Sequence, residues 1–250
     1  MTNSLGRRFL KNCVLLLRSL IFDCLFYSCS LVVALLVPFL LLCSRRFVWR
    51  FGRLWIVFSL FLMRFLLGLT YEIRGKDYLP EAPFLLASKH QSAWETLAFF
   101  GIFPDPIFLL KKSLMDIPFL GWGLRKIQMI PVDRSQGRGF TKVIQQAKNI
   151  LSKGRILIVF PEGTRTFPGD PPTYKRGLWM LYRHLDVPVV PLALNTGLFW
   201  PRRAWIKRPG KVILQLGEPL PPGLKDEKLF KDWLLRSIEQ PSQQLCGRPS

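Results

Sequence analysis

A run of uncharged residues near the N-terminus constrains this chain more than any other feature. Between Asp23 and Arg45 lie 21 residues without a charge, in a chain of 250 residues with a formal net charge of +20. About 20 apolar residues suffice for a helix to cross the ~30 Å hydrocarbon core of a bilayer. A second apolar run, 54–71, is interrupted only by Arg64. Residues 1–70 are therefore predicted to form two apolar helices that associate with a membrane.

The depth of these helices in the bilayer is left open by the charge pattern. Four basic residues precede the first run and four follow it before the second, so the positive-inside rule gives no orientation. Equal charge on both sides also suits a hairpin that enters one leaflet and returns. A two-helix core element of a soluble protein is a third interpretation. A cleaved signal peptide is disfavoured, because the apolar run is too long and no small-x-small site precedes the basic cluster 45–53.

Strong basicity combined with high apolar content narrows the choice of partners. The chain has 36 Lys+Arg and 16 Asp+Glu, yet 49% of its residues are hydrophobic. Disordered basic tails lack such apolar content, which leaves an anionic membrane surface or nucleic acid. A basic and aromatic cluster suits either partner: Trp200, Arg202, Arg203, Trp205, Lys207 and Arg208. No nucleic acid partner is expected, since the sequence contains neither an RNP motif nor a helix-turn-helix pattern.

The cysteines and histidines argue against a metal site. Four of the five cysteines lie in the N-terminal apolar stretch, none forms a C-x-x-C pair, and the chain contains only two histidines. This pattern fits neither a zinc site nor a disulfide framework. It also supplies no cysteine nucleophile in the main body of the chain.

From residue 71 onward, short apolar runs alternate with amphipathic stretches. The predicted strands are 83–88, 106–110, 127–132, 156–160, 187–195 and 211–216, the last as an edge strand. The predicted helices are 93–100, 140–151, 177–184 and 227–239. Continuous apolar strands that alternate with helices are typical of an α/β domain with a largely parallel sheet flanked by helices. We predict such a domain over residues 71–250.

His90 lies just past the first predicted strand, and Glu95 follows five residues later. The two side chains can form a histidine–carboxylate pair if His90 lies in the loop and the helix begins after it. Ser92 and Glu95 also match the capping box S-x-x-E, in which the glutamate would serve the backbone instead. The residues alone leave both interpretations open.

A second polar motif, Phe160–Arg165 (FPEGTR), follows the strand 156–160. Open α/β sheets bind ligands at the carboxyl ends of their strands. Arg165 can bind a phosphate through two hydrogen bonds, and Gly163 lets backbone N–H groups approach an anion. The alternative is a surface loop with a solvated arginine.

Two further segments complete the pattern: KKSLMDIPFLGWG…PVDR over 111–134 and VPVVPLAL over 187–194. In this order the four motifs resemble the glycerolipid acyltransferase family, and specifically its lysophosphatidic acid acyltransferases of the bacterial type. The family pattern is H-x4-D/E, then K-x-x-L…IPFFG…DR, FPEGTR and a VPVVPVA-like strand. The resemblance spans roughly residues 70–220. Glu95 stands where aspartate is commoner, so the pair must accommodate one extra methylene.

The resemblance implies acyl transfer from acyl-CoA or an acyl carrier protein thioester to the hydroxyl of lysophosphatidic acid, giving phosphatidic acid. It implies that His90 is the general base and Glu95 its orienting partner. The glycerol phosphate would be bound by Glu162, Gly163, Thr164, Arg165, Lys112 (with Lys111 as second choice) and Arg134. The implied location is the bacterial inner membrane, among membrane lipids, with the catalytic domain on the cytoplasmic side. No metal or organic cofactor is implied.

Two alternatives remain beside this interpretation. The acceptor could be another lysolipid, such as lyso-ornithine lipid, or the chain could be a non-catalytic lipid-binding relative. Intact His90, Glu95 and Arg165 favour the enzyme, because a protein that only binds lipid needs no base. The group that stabilises the tetrahedral oxyanion is left open between backbone amides near Val189–Val190 and that of Gly163.

Overall fold

A computed structural model describes residues 2–133 and 140–247. The helices are α1 Thr2–Leu40, α2 Arg45–Leu62, α3 Trp94–Ile102, α4 Leu120–Lys126, α5 Phe140–Leu151, α6 Arg176–Leu185, α7 Glu227–Leu234 and α8 Gln240–Leu245. The strands are β1 Leu69–Arg74, β2 Leu85–Ser88, β3 Ile107–Lys111, β4 Ile130–Val132, β5 Leu157–Val159, β6 Val189–Leu194 and β7 Gly210–Leu216. Two short π-helical turns, Met63–Leu67 and Leu235–Glu239, follow α2 and α7.

The seven strands form one sheet in the order β1-β7-β6-β2-β5-β3-β4. Every neighbouring pair is parallel except β6–β7. Strands β2, β5 and β6 are buried along their whole length, as expected for parallel strands covered by helices on both faces. The predicted α/β fold with a largely parallel sheet is confirmed.

The position of β7 corrects one prediction. This strand was expected at an edge, but it lies between β1 and β6 and pairs with both. The outer neighbour of β7, strand β1, was not predicted, because the first residues of β1 continue the second apolar run of the sequence. The break between helix and strand is Gly68, whose φ of 65° lies in the left-handed region that ends helices. The sheet therefore begins at Leu69, inside the segment assigned to the apolar helices.

The predicted strand 127–132 is also shorter than expected. Only Ile130–Val132 pairs with β3. Ile127 closes the last turn of α4, and Gln128 has a φ of 68°. The chain therefore enters the strand three residues later than its apolar pattern suggests.

The helix pair α1–α2 lies against the α/β domain. Near the middle of α1, Asp23 pairs with Lys207 Nζ at 2.6 Å, and Ser19 Oγ accepts the backbone N–H of Lys207 at 2.9 Å. At the other end, Lys126 Nζ donates to the carbonyl oxygen of Leu41 at 2.8 Å. Lys207 is thus 3% exposed. It holds the helix pair, and it does not face lipid head groups as its place in the basic cluster suggested.

The helix pair exposes many large apolar side chains. Phe9–Leu40 is long and apolar enough to cross a membrane, and 11% of its most apolar 18-residue window is buried. Large exposed side chains include Phe9, Phe39 and Leu42, which are 73%, 70% and 89% exposed. Such a surface is compatible with membrane association.

Asp105 joins α2 to the start of β5. Its carboxylate pairs with Arg45 and with Arg155, each at 2.8 Å, and Arg155 is 4% exposed. Burial lowers the pKa of Arg155, an effect that the negative charge of Asp105 opposes. The ion pair is therefore needed to balance the charge of a buried guanidinium.

We predict that Asp105→Asn lowers the free energy of unfolding by about 3 kcal/mol, the low end of the loss expected when one partner of a buried pair is removed. Asparagine tolerates the left-handed backbone of this position, where φ is 44°. Urea unfolding in detergent followed by circular dichroism measures the change.

The matched control is Glu72→Gln, which removes an exposed pairing with Arg74 and Lys211. It should shift the unfolding midpoint little, because exposed ion pairs contribute little to stability. Equal midpoints for the two variants would contradict the role given to Asp105.

Candidate active site

The end of β2 and the start of α3 bring His90 and Glu95 together. His90 Nδ1 lies 2.9 Å from Glu95 Oε1. The Glu95 side chain is fully buried, whereas that of His90 is 13% exposed. The imidazole stacks on Phe160, with ring centroids 4.0 Å apart. Since a carboxylate accepts, Nδ1 carries the proton in the neutral ring and Nε2 is free to accept one.

Glu95 fulfils both interpretations left open by the sequence. Its Oε1 also accepts the backbone N–H groups of Gln91 and Ser92, at 2.7 and 2.6 Å. Ser92 Oγ in turn accepts the N–H of Trp94 at 3.1 Å. The carboxylate therefore caps the start of α3 and orients the histidine at the same time. The extra methylene of glutamate lets it reach back over the first turn.

Glu162 lies beneath the site rather than in it. The side chain is fully buried and accepts hydrogen bonds from Lys89 Nζ at 2.6 Å, the backbone N–H of His90 at 2.9 Å and Thr166 Oγ1 at 2.9 Å. It is not among the described residues that line the cavity. In this structure Glu162 therefore contacts the main chain of His90 and does not line the cavity.

Other residues of FPEGTR divide between the cavity and solvent. Gly163 and Arg165 line the cavity together with His90. Gly163 has a φ of 66°, a conformation that a side chain would strain. Thr164 is exposed and lies outside the cavity lining.

The two lysines after β3 differ in their positions. Lys111 lines the cavity, whereas Lys112 is 60% exposed and pairs with Asp133 at 3.1 Å. Arg134 lies outside the described residues. Sequence reasoning also missed Lys175, which lines the cavity and whose N–H bonds to the carbonyl oxygen of Pro161 at 2.8 Å. The available signal was its position two residues before the predicted helix 177–184.

A large cavity of about 1470 Å³ extends from His90 toward the helix pair. Its lining includes His90, the cations Lys111, Arg165 and Lys175, and the carboxylate of Asp133. The remainder is mainly apolar, with walls from α1, α2, α3 and α4: Phe26, Leu31, Trp55, Phe100, Leu124 and others. Within the described residues, no group of three or more His, Cys, Asp or Glu side chains could hold a metal ion.

The sequence of residues 70–195 matches the acyltransferase family. The chain belongs to this family. This acyltransferase is 38% identical over 164 residues to the 1-acyl-sn-glycerol-3-phosphate acyltransferase of Pseudomonas aeruginosa, covering 65% of this chain and 64% of that protein. It is 28% identical over 188 residues to the protein of the same name from Saccharomyces cerevisiae, covering 73% of this chain and 61% of that protein. The matched region thus spans less than two thirds of either relative.

A solved structure shares the fold of this acyltransferase. The crystal structure of the 1-acyl-sn-glycerophosphate acyltransferase PlsC from Thermotoga maritima matches with a TM-score of 0.74 at 24% sequence identity. The match covers 93% of this chain and 99% of that one. The likeness therefore includes most of the N-terminal helices as well as the α/β domain.

The double role of Glu95 gives a sharp prediction for Glu95→Gln. The amide oxygen can still accept the backbone N–H groups at the start of α3, but the charge that would stabilise an imidazolium is lost. Turnover should fall by about 10⁴-fold, by analogy with carboxylate replacement in a catalytic triad. The melting temperature should change by only a few degrees.

Ser92→Ala is the matched control, since it removes the hydrogen bond to Trp94 and keeps the carboxylate. It should cost about 1 kcal/mol of stability, as other lost caps do, while turnover per folded molecule stays within about threefold. A Glu95→Gln enzyme with normal turnover would reduce Glu95 to a cap.

Proposed function

We propose that this acyltransferase moves a fatty acyl group from an acyl thioester to the free sn-2 hydroxyl of lysophosphatidic acid, giving phosphatidic acid in phospholipid biosynthesis. The observation that carries the proposal is the His90–Glu95 pair at the junction of a cationic and an apolar region of one cavity. The names of the two relatives support the choice of acceptor. The donor is acyl-CoA or an acyl carrier protein thioester.

The chemistry follows from the free ring nitrogen of His90. Nε2 removes the proton of the acceptor hydroxyl while its oxygen attacks the thioester carbonyl. Glu95 stabilises the imidazolium that forms. The tetrahedral intermediate then collapses, the C–S bond breaks, and the imidazolium gives the proton to the departing thiolate. No acyl-enzyme is required, because Ser92 Oγ is buried and holds the N–H of Trp94.

The cationic end of the cavity suits the phosphate of the acceptor. Arg165 offers a planar pair of donors, and Lys111 and Lys175 add positive charge beside it. A head group held there places the hydroxyl near His90, which is catalysis by orientation. The expected role of Arg165 is therefore retained, with Lys111 in place of Lys112.

The apolar end of the cavity suits acyl chains. Its walls include Phe26 of α1, Trp55 of α2 and Phe100 of α3, and the first two rings stack with centroids 5.7 Å apart. An acyl chain bound there would be removed from water, a gain of about 0.8 kcal/mol per buried methylene. The helix pair thus contributes to the site as well as to the membrane surface.

We further propose that the helix pair lies in one leaflet as a hairpin and does not span the bilayer. Ser19 of α1 and Leu41, the residue that follows α1, both contact the α/β domain, and at 1.5 Å per helical residue they lie about 33 Å apart. A helix that crossed the ~30 Å hydrocarbon core could not touch a domain outside the membrane at both ends. The exposed Trp205 would add an interfacial anchor beside anionic head groups, on the cytoplasmic face of a bacterial inner membrane.

The assignment of the acceptor is tested by Arg165→Ala on a panel of lysolipids, with both donors and products read by mass spectrometry. Loss of a charge-assisted contact of roughly 1.5–3 kcal/mol should raise the KM for lysophosphatidic acid about tenfold or more. Acceptors without phosphate should be nearly indifferent to the change. His90→Ala serves as the inactive blank.

Lys112→Ala is the matched control for that experiment, because this lysine lies outside the cavity lining. It should leave the KM within about twofold. Equal losses on both classes of acceptor with Arg165→Ala would argue for another lysolipid, such as lyso-ornithine lipid. A wild-type protein that binds lysolipids but forms no product with either donor would be a non-catalytic relative.

The hairpin is tested with single cysteines introduced into a cysteine-free protein, at Thr2, at Arg46 and at Leu42 in the turn between the helices. In sealed membrane vesicles, an impermeant thiol reagent should label positions 2 and 46 from the same side. Position 42, 89% exposed on the protein itself, should be shielded by lipid. Labelling of positions 2 and 46 from opposite sides would mean that α1 spans the bilayer.

A further inference from the structure

A buried network of charges lies behind the candidate active site. Lys89 is 2% exposed, and its Nζ lies 2.6 Å from Glu162 Oε1 and 2.6 Å from Glu239 Oε2. Glu239 is itself 3% exposed. The network joins the end of β2, the loop after β5 and the C-terminal helical segment. None of the three residues is among those that line the cavity.

The network continues to the main chain of His90. Glu162 Oε2 accepts the backbone N–H of His90 at 2.9 Å. Thr166 donates its hydroxyl to Glu162 Oε1 at 2.9 Å and its backbone N–H to the carbonyl oxygen of His90 at 2.9 Å. Both backbone polar groups of His90 are therefore held from one side, while Glu95 holds its ring from the other.

The charges of the network are strongly coupled. Burial by itself lowers the pKa of Lys89, but the charges of Glu162 and Glu239 and their hydrogen bonds outweigh it and raise the pKa above its usual value. Burial also raises the pKa of Tyr174, and the two carboxylates raise it further. The ammonium group of Lys89 thus stays charged between two carboxylates at neutral pH.

Stability alone does not account for such a network. Replacing a buried ion pair by well-packed apolar residues is often neutral or stabilising, because two charges lose their hydration when buried. Buried charges instead fix one arrangement of the groups around them when every hydrogen bond is made. The group fixed here is the backbone of the proposed general base.

The backbone and the side chain of Glu239 are both fixed by local structure. It ends the π-helical turn Leu235–Glu239, and such turns occur frequently at functional sites. Its Oε1 accepts from Gln243 Nε2 at 3.2 Å. Ser242 of α8 accepts the N–H of Leu194 in β6 at 3.3 Å, which ties this segment to the sheet.

We propose that Glu239 is a positioning residue for the acyl transfer: through Lys89 and Glu162 it fixes the main chain of His90 and so aims Nε2 at the acceptor hydroxyl. This inference rests on the proposed role of His90 as general base. A misplacement of about 1 Å can cost about 100-fold in rate. A residue outside the cavity can therefore control the turnover.

The test is Glu239→Gln, which keeps the shape of the side chain and removes its charge. With one strong partner lost, Lys89 and Glu162 relax, and kcat should fall at least tenfold. The KM for lysophosphatidic acid should change by less than about threefold, because the substituted side chain does not line the cavity.

A spectroscopic readout separates positioning from simple loss of stability. The chain contains two histidines, His90 and His184. In ¹³C-histidine-labelled protein in detergent, the imidazole signal of His90 should shift in Glu239→Gln. His184 is exposed on α6 and bonds to the carbonyl oxygen of Met180, so its signal should stay in place as an internal reference.

Tyr182→Phe is the matched control for stability. The Tyr182 hydroxyl donates to the carbonyl oxygen of Pro221 at 2.7 Å and accepts the N–H of Leu224 at 2.9 Å. Loss of the Tyr182 hydroxyl should lower the melting temperature. Neither of its two hydrogen bonds involves a residue of the network around His90. Both histidine signals and kcat per folded molecule should match the unsubstituted enzyme.

The possible results either support or overturn the proposed role of Glu239. If Glu239→Gln does not fold, Glu239→Asp replaces it, since it withdraws the carboxylate by one methylene and should move both readouts in the same direction. Normal kcat in a folded variant overturns the proposal, whether or not the His90 signal shifts. If His90→Ala keeps its turnover, the general-base role fails, whereas the His90 signal in Glu239→Gln still reports on the network.

Discussion

The parallel pairing of β2 with β5 is the constraint on which the candidate site depends. Ala87 of β2 lies opposite Val159 of β5, so both strands end at the same edge of the sheet. The residues that follow them, His90 and Glu162, therefore lie close enough for a hydrogen bond across the gap. Because β6 flanks β2 on its other side, β2 is hydrogen-bonded to a neighbouring strand on both sides. The site is thus built on the most buried part of the sheet.

The sequence predicted those parts of the fold that local pattern controls. The helix 140–151 has the expected bounds, and every predicted strand exists, since continuous apolar runs between turn residues have few other solutions in an α/β chain. The hidden strand β1 shows the limit of such patterns. Its apolar residues read as the end of a helix, and only its pairing with β7, about 140 residues away, defines it.

In the site, too, contacts between residues close in sequence were predicted, whereas contacts between distant segments were not. The approach of His90 to Glu95 depends on a single turn, so their spacing sufficed to propose it. The sequence could not show which of Lys111 and Lys112 lines the cavity. Successive side chains of a strand point to opposite faces of the sheet, and the sequence alone does not say which face lies toward the cavity. Glu162 was assigned to substrate binding because the resemblance to the family implies that role. Its three hydrogen-bond donors, Lys89, His90 and Thr166, become visible only when the segments meet in space.

The helix pair and the site are linked by one cavity, and this link explains an unusual distribution of charge. Asp23, the single acidic residue of the first 70, is used to hold Lys207 of the α/β domain. Arg45 at the start of α2 is held by Asp105. Both contacts turn these two charged groups of the helix pair toward the domain. The walls of the cavity are therefore kept in place by ion pairs at both ends, while the surface between those ends remains free to meet lipid.

Two buried carboxylates approach His90 from different directions, and each restricts a different freedom. Glu95 holds the ring through Nδ1, which sets its rotation. Glu162 holds the backbone N–H, which sets the position of the whole residue. Neither restriction replaces the other, because a correctly rotated ring on a displaced backbone still carries Nε2 to a different position. Stacking on Phe160 at 4.0 Å leaves the ring little room to compensate. Glu95 and Glu162 are therefore both needed to fix the position and the orientation of Nε2.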